Sequence, residues 1–484
     1  MGGLGCAALA VMGGLVGTEA LADRVVQVHG SGTTNPSKLF WRIFELFEVE
    51  VRAPIKMTYR AVGSSTGQAE YVAGVNHFGS GDIPLTATQF ANLTVSVGAG
   101  HSLHLPVMVG EVGFFHNVPG LKGTLKLTGC VLAGIFQGTI STWDAAEIVQ
   151  LNPEMGSLGQ GKNITVVHRQ LGSSSTASVT EYMKKNCPTG WTLSTGATIT
   201  WPSDSRFNSA QGSGGVTEFL KANEWAIGYL DSGHGHDAGL AEVAVKNKDG
   251  NFLVSGGAGG LGSASMAVDA AMAANVFPSA GGGVVDFKAD WSNVDIYDQA
   301  GNVTWPISLV TYVYVRTNVV SLAESGPLLR AFLEYLLSDR GQKLVEDFGF
   351  SPLPTSLRDA VRTAIGSLLT TDPSQTAYIF EDSTASVTGM GSHVVSFKRQ
   401  NYAVIDRAGM AADIKALGAV TAAPATSVSA DTSAYTRLTD LDPFLAFSVV
   451  LSVINAIVVV VLSCMVCGKG GRGSGSGSGI AYRL

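Results

Sequence analysis

Three times the chain runs a short apolar segment into a cluster of glycine, serine and threonine, and then into a stretch of helical periodicity. RVVQV leads into HGSGTTNP and a helix with Leu39, Phe40, Ile43, Phe44 and Phe47 on one face. KMTYRAV leads into Gly63-Ser64-Ser65-Thr66-Gly67 and QAEYVAGV. ITVVH leads into the rest of HRQLGSSST and ASVTEYMKKN, where Val179, Tyr182 and Met183 are spaced to face a core. Strand–loop–helix units of this kind favour an α/β fold built on parallel strands. Their loops, and any ligand groups on them, collect at the strand C-terminal ends.

The loops have a chemistry in common. A helix N-terminus presents unpaired N–H groups and partial positive charge, and small hydroxyl residues allow close approach, so such an end suits an oxyanion. Ser or Thr ahead of a single helix is ordinarily just an N-cap; the threefold recurrence is what favours an anion. One cation, Arg169, stands beside the third cluster. The net charge is −7 with no long basic run, which argues against a nucleic-acid partner and makes any anion affinity a local property.

Both ends of the chain are hydrophobic. Residues 1–22 read as a secretory signal, an apolar run ending in Ala20-Leu21-Ala22, although a basic leading segment is missing. Phe444 to Cys467 is an uncharged run of about 24 residues, about 36 Å as a helix, long enough to span a bilayer. Lys469, Arg472 and Arg483 follow it without an acid, which places a 468–484 tail in the cytosol and the remainder outside, at the cell surface. Cys130 and Cys187 fall in the exterior part, where a disulfide and two separate buried thiols both fit. Asn92, Asn163 and Asn302 open glycosylation sequons, relevant on a eukaryotic secretory route.

The remaining stretches read mostly as scaffold. LPVMVGEVGFFHN and WPISLVTYVYVRT are buried strand runs, and GVTEFLKANEWAIGYLD is a helix followed by a strand. GPLLRAFLEYLLSDRGQKLVEDFGFSPLP is a helical end stopped by Gly349 and the prolines. His234, His236 and Asp237 in GHGHD lack the further ligands of a metal site and read as a solvated turn. His168, Trp143, Trp201 and Trp305 read as structural. Ser173–Ser175 lie outside a GxSxG elbow, so no catalytic residue, metal or cofactor is expected.

GSGTTNP, VGSSTGQ, HFGSGDIPLT, STWDAAEIVQLNP, HRQLGSSST, WAIGY and VTWPIS, in this order and spacing, resemble the PstS-type phosphate-binding proteins of bacterial ABC importers, over about residues 24–366. The resemblance implies a two-lobed, periplasmic-binding-protein-like (type II) fold whose hinge strands cross between lobes. Lobe one would hold 24–112 plus 308–366, and lobe two 113–307. It implies inorganic phosphate as ligand, bound by Thr34, the backbone of Asn35, Ser64, Asp82, Arg169, Ser173, the backbone N–H of Ser174, and Ser175. Arg169 would bond phosphate oxygens through its planar fork. An ionised Asp82 only accepts hydrogen bonds, so it would favour a ligand still carrying a proton, as phosphate does and sulfate does not. Two positions depart from the family: Leu171 stands where an Asp usually pairs with the Arg, and Asn35 where an aromatic is usual.

The resulting expectation is a membrane-anchored phosphate-binding ectodomain for capture or sensing, with residues 23–366 as the binding part. An extension and stalk at 367–442 and a span at 443–467 would follow. A phosphoesterase reusing the pocket, and a receptor or adhesion scaffold that has lost the ligand, are the other readings.

Overall fold

The computed structural model describes residues 25–256, 262–381, 391–403 and 405–406. The signal segment, the 443–467 span, the 468–484 tail and the later part of the stalk lie outside these residues. Among the described residues no helix is long and apolar enough to cross a membrane.

The chain opens with β1 (Val26–Gly32), α1 (Ser37–Glu50), β2 (Ile55–Ala61), α2 (Ser64–Val72), β3 (Phe78–Gly81), α3 (Ala87–Val97) and the long β4 (Ser102–His116). A second series follows: β5 (Lys126–Leu127), α4 (Gly129–Phe136), α5 (Ala146–Leu151), α6 (Met155–Leu158), β6 (Thr165–Arg169), α7 (Ser174–Asn186), β7 (Phe207–Ala210), α8 (Gly212–Ala222) and β8 (Ala226–Asp231). Then come α9 (Ser232–Asp237), β9 (Ala241–Glu242), β10 (Ala244–Lys246), β11 (Phe252–Leu253) and α10 (Ala264–Ala273). The chain returns through β12 (Ser308–Arg316), α11 (Ser325–Leu336), α12 (Asp339–Asp347) and α13 (Thr355–Leu368), with β13 (Ile379–Phe380) and β14 (Val394–Val395) beyond.

The main sheet runs β2-β1-β3-β12-β4-β8-β6-β7. β1 is parallel to β2 and β3, while β6 is parallel to β7 and β8. Each parallel set is closed by an antiparallel crossing strand. β4 pairs with β12 from Ser102 to Glu111 and with β8 from Val112 to His116, so one strand serves both lobes. All 15 residues of β4 are buried, as expected for a strand covered on both faces. Glu111, where the strand changes partner, accepts from Gly256 N at 3.0 Å and Ala264 N at 3.1 Å.

Two large apolar cores flank the crossing. The first gathers α1, the face of β1–β3 and the aromatic cluster of Phe40, Phe44, Tyr59, Phe78 and Phe332. The second gathers Phe114, Phe136, Trp143, Tyr182, Tyr229 and Trp305. The expected second lobe, 113–307, includes a stretch that packs differently. Val268, Phe277, Phe287 and Trp291 belong to the first core. Which core a stretch joins is decided by burial rather than by chain order.

Other expectations shift as well. β1 begins two residues later than RVVQV and extends through Gly32, paired along its length with β2. α13 continues the helical end past the prolines that were read as its stop, burying Leu357, Val361, Ala364 and Ile365. GHGHD is a helical turn rather than a solvated one: His234 pairs with Asp231 at 2.7 Å and His236 with Glu242 at 2.9 Å. The front of the 367–442 extension also packs down, with Tyr378 and Val395 joining the first core. Arg340 sits 4.6 Å from the Phe397 ring and pairs with the buried Glu50. Cys130 and Cys187 form a disulfide that joins the start of α4 to the end of α7.

Candidate functional site

The C-terminal ends of both parallel sets meet across one cleft. From lobe one come Thr33, Thr34 and Asn35 after β1, Ser64 after β2, and Asp82 after β3. From lobe two come Arg169 at the end of β6, Ser173–Ser175 at the start of α7, Ser213 at the start of α8, and Asp231 at the end of β8. Small residues make this approach possible. Gly63 holds φ at +93°, and a side chain there would come within 3.0 Å of Gly172 O on the other lobe. Gly67 packs so closely under β1 that a Cβ would reach 2.2 Å from Gly32 Cα.

Asp82 is buried and fully occupied. Its Oδ2 accepts from Thr33 Oγ1, from Asn35 Nδ2 at 2.9 Å and from Ser174 Oγ at 2.8 Å. Its Oδ1 accepts from Thr311 Oγ1 at 2.6 Å. Burial pushes its pKa up, opposed by the hydroxyls of Thr311, Thr33 and Ser174. The Ser174 bond crosses the cleft, so the second lobe already supplies a donor to the first lobe's acid.

Arg169 is buried too, but bonded differently. Its NH2 donates to Thr34 Oγ1 of lobe one at 2.8 Å, and its NH1 reaches Ser175 Oγ and Ser213 Oγ only at 3.5 Å. Tyr229 Oη accepts from its backbone N–H at 3.2 Å and pairs with Thr176 Oγ1 at 2.7 Å. Burial pushes the guanidinium pKa down, opposed by Tyr229, Asp231 and Asp82. No carboxylate lies within ion-pair distance of it among the described residues.

The residues named from the sequence follow strands whose C-terminal ends meet here, and several of them bond one another across the cleft. Asn35, expected to offer phosphate its backbone, also brings its side chain here, donating to Asp82 and to Ser175 Oγ (3.4 Å) and accepting from Ser213 (3.1 Å). Its backbone N–H turns to Thr33 Oγ1 at 3.3 Å. Ser174, expected to offer phosphate its backbone N–H, also donates its hydroxyl to Asp82. Ser173 Oγ caps α7 by accepting from Ser175 N at 3.2 Å. Ser64 Oγ is buried without a hydrogen-bond partner among the described residues.

Thr33, Ser213, Thr311, Tyr229 and Asp231 are the residues that sequence reasoning passed over. Thr311 had a signal, a hydroxyl inside an otherwise apolar strand. Ser213 opens a fourth helix pointing at the cleft, its Gly-Ser start masked by the reading of GVTEFLKAN as plain scaffold. At the rim, Lys38 of α1 and Asp237 of α9 form a 3.1 Å bridge between lobes. Both are solvent-exposed, so it contributes little. Among the described residues no group of three or more His, Cys, Asp or Glu is placed to hold a metal.

Two α/β lobes, joined by crossing strands and converging strand ends and helix starts on one buried cleft, define a two-lobed binding protein. A family model for the PBP superfamily domain matches residues 17–340, well over half of the chain. The chain belongs to that superfamily, within it to the PstS-type phosphate-binding protein family. The phosphate-binding protein PstS of Haemophilus influenzae is 25% identical over 340 residues, covering 69% of this chain and 91% of its own length. That of Methanocaldococcus jannaschii is 28% identical over 324 residues, covering 65% and 79%. Among solved structures, the phosphate-binding protein of Stenotrophomonas maltophilia aligns with a TM-score of 0.52 at 19% identity, covering 70% of this chain and 93% of its own.

Proposed function

We propose that this chain binds inorganic phosphate between its lobes and serves as an exterior capture or sensing protein, held at the cell surface by the 443–467 span. The observation that carries the reading is the meeting of a buried cation from one lobe with a buried carboxylate from the other, ringed by hydroxyls and four helix starts. Phosphate enters between them as the lobes part. Its oxygens take the Arg169 donors now spent on Thr34, Ser175 and Ser213, and the free Ser64 hydroxyl. A phosphate O–H replaces the Ser174 hydroxyl on Asp82 Oδ2, so the proton of the ligand is read by exchange at a carboxylate that is already positioned. Sulfate offers no proton for that exchange, and loses the Ser174 bond without replacing it.

The hydroxyls of Ser173, Ser174 and Ser175 go to a backbone amide, to Asp82, and to Arg169 and Asn35. None pairs with a histidine among the described residues, which favours binding over ester hydrolysis. Equilibrium dialysis of the full-length chain against labelled phosphate, with sulfate as competitor, tests the proposal. Saturable binding of one phosphate per chain that excess sulfate fails to displace is expected; no binding by folded protein overturns it.

A further inference from the structure

Arg169 and Asp231 are buried charges at the ends of neighbouring strands; Arg169 has no bonded carboxylate among the described residues, and Asp231 uses only one of its two oxygens, on His234. The parallel register of β6 and β8 sets Val167 beside Gly228, so both strands end at the same edge. Arg169 is 6% exposed, and its side-chain hydrogen bonds all go to neutral hydroxyls. Leu171, two residues on, is 47% exposed and offers no charge. Asp231 is 1% exposed. Its Oδ1 caps α9 by accepting from His234 N at 3.0 Å and also meets His234 Nδ1 at 2.7 Å. Its Oδ2 is buried with no hydrogen-bond partner among the described residues. A buried cation without a bonded anion is costly, and so is a buried carboxylate oxygen without a donor, unless the charge of each offsets the other.

We propose that Asp231 is the counter-charge of Arg169 and its positioning residue, acting from the end of β8 in place of an acid on the loop that follows the arginine. Ser213 stands between them: its hydroxyl is 3.5 Å from Arg169 NH1 and bonds Asn35 Oδ1 across the cleft. The electrostatics point the same way from the arginine's side, where Asp231 follows Tyr229 among the groups favouring the charged form. Burial alone would raise the Asp231 pKa, but the His234 pair, with Ser213 adding to it, holds the carboxyl below its ordinary range, and Asp231 in turn supports the charged form of Arg169. Asp231 thereby keeps the guanidinium charged and aimed at the cleft while its own charge stays one strand behind the anion. The purpose of this arrangement rests on the anion-binding reading; the pairing itself does not.

A thermal-unfolding cycle on the full-length chain in anion-free buffer tests it. Asp231→Asn preserves the size of the side chain and its capping ability. It loses the charge on the His234 contact in both backgrounds, so the pairing is read from the difference: the Tm is expected to fall by several degrees more with Arg169 present than in an Arg169→Met background. Leu171→Asp, added to Asp231→Asn, is expected to recover part of the loss by restoring an acid near the arginine. Equal Tm shifts in both backgrounds would overturn the pairing, as would a Leu171→Asp double variant no more stable than Asp231→Asn alone. Absence of phosphate binding in wild type would end the functional reading without touching this result.

Discussion

Lobe one brings Asp82 to the cleft and lobe two brings Arg169, and the two lobes treat their charges in opposite ways. Asp82 is saturated, with four donors on two oxygens, one of them lent by the other lobe. Arg169 has one short contact, across the cleft to Thr34, and two at 3.5 Å. A saturated acceptor is rigid and gains little net energy from a new ligand, but it penalises any ligand that removes a donor and returns none. An under-satisfied cation gains most from an arriving anion. On the proposed phosphate-binding reading, the contrast puts selectivity in the first lobe and affinity in the second.

The strongest way to break that division is at the cation. Arg169→Gln should weaken phosphate binding by about 10²–10⁴-fold, the loss of about two charge-assisted hydrogen bonds, measured by calorimetry on folded protein. A drop below about tenfold would move the affinity elsewhere. Reducing lobe two's own brace is next. Cys130→Ser with Cys187→Ser removes a link spanning 57 residues and should cost about 2–4 kcal/mol in denaturant unfolding. At temperatures where the variant is folded, its phosphate affinity should be unchanged, since the bridge lies at the far end of α7.

Asp82→Asn sharpens the comparison from the other side. Phosphate affinity should fall modestly while the phosphate-over-sulfate ratio narrows by about 10–100-fold; parallel losses for both anions would deny Asp82 its selective role. Glu111 tests the crossing strand that both lobes share. Burial pushes its pKa up to about 7, with the Ala264 amide opposing. The folded state therefore holds this proton more tightly than the unfolded chain, so its contribution to stability falls as pH rises from the ordinary carboxylate range through about 7. Glu111→Gln should flatten that part of the pH dependence in melts across about pH 5–9, while lowering stability at acid pH because its amide can accept only one of the two backbone N–H bonds. Ser64→Ala is the smallest effect and the most diagnostic in sign. Truncating a buried hydroxyl without a partner should leave the Tm unchanged or higher, yet weaken phosphate binding by about threefold to tenfold.

Much of this cleft was legible in the sequence because its residues sit in contiguous loops that follow strands. Thr34, Asn35, Ser64, Asp82, Arg169 and Ser173–Ser175 all announce themselves by small-residue context. Ser213, Thr311 and Asp231 do not, because each is a single polar residue at the margin of an ordinary helix or strand, and only the pairing of β6 with β8 and of β4 with β12 brings them in. The atoms were less legible than the residues. That the Asn35 amide and the Ser174 hydroxyl both bond Asp82 depends on rotamers, which no residue pattern displays. The division of the chain between cores was misplaced near 264–296 for a similar reason, since Phe287 and Trp291 follow burial rather than sequence order. α13 carried its signal openly in Leu357, Val361, Ala364 and Ile365, but the prolines before it drew the boundary too early.

A crystal structure of the chain grown with phosphate tests the division of labour most directly. The account predicts one phosphate in the interlobe cleft, within hydrogen-bond distance of both the Arg169 guanidinium and Asp82 Oδ2, with the Ser174 hydroxyl released from that oxygen. Phosphate bound elsewhere, or held in the cleft with the Ser174–Asp82 bond intact, would contradict it.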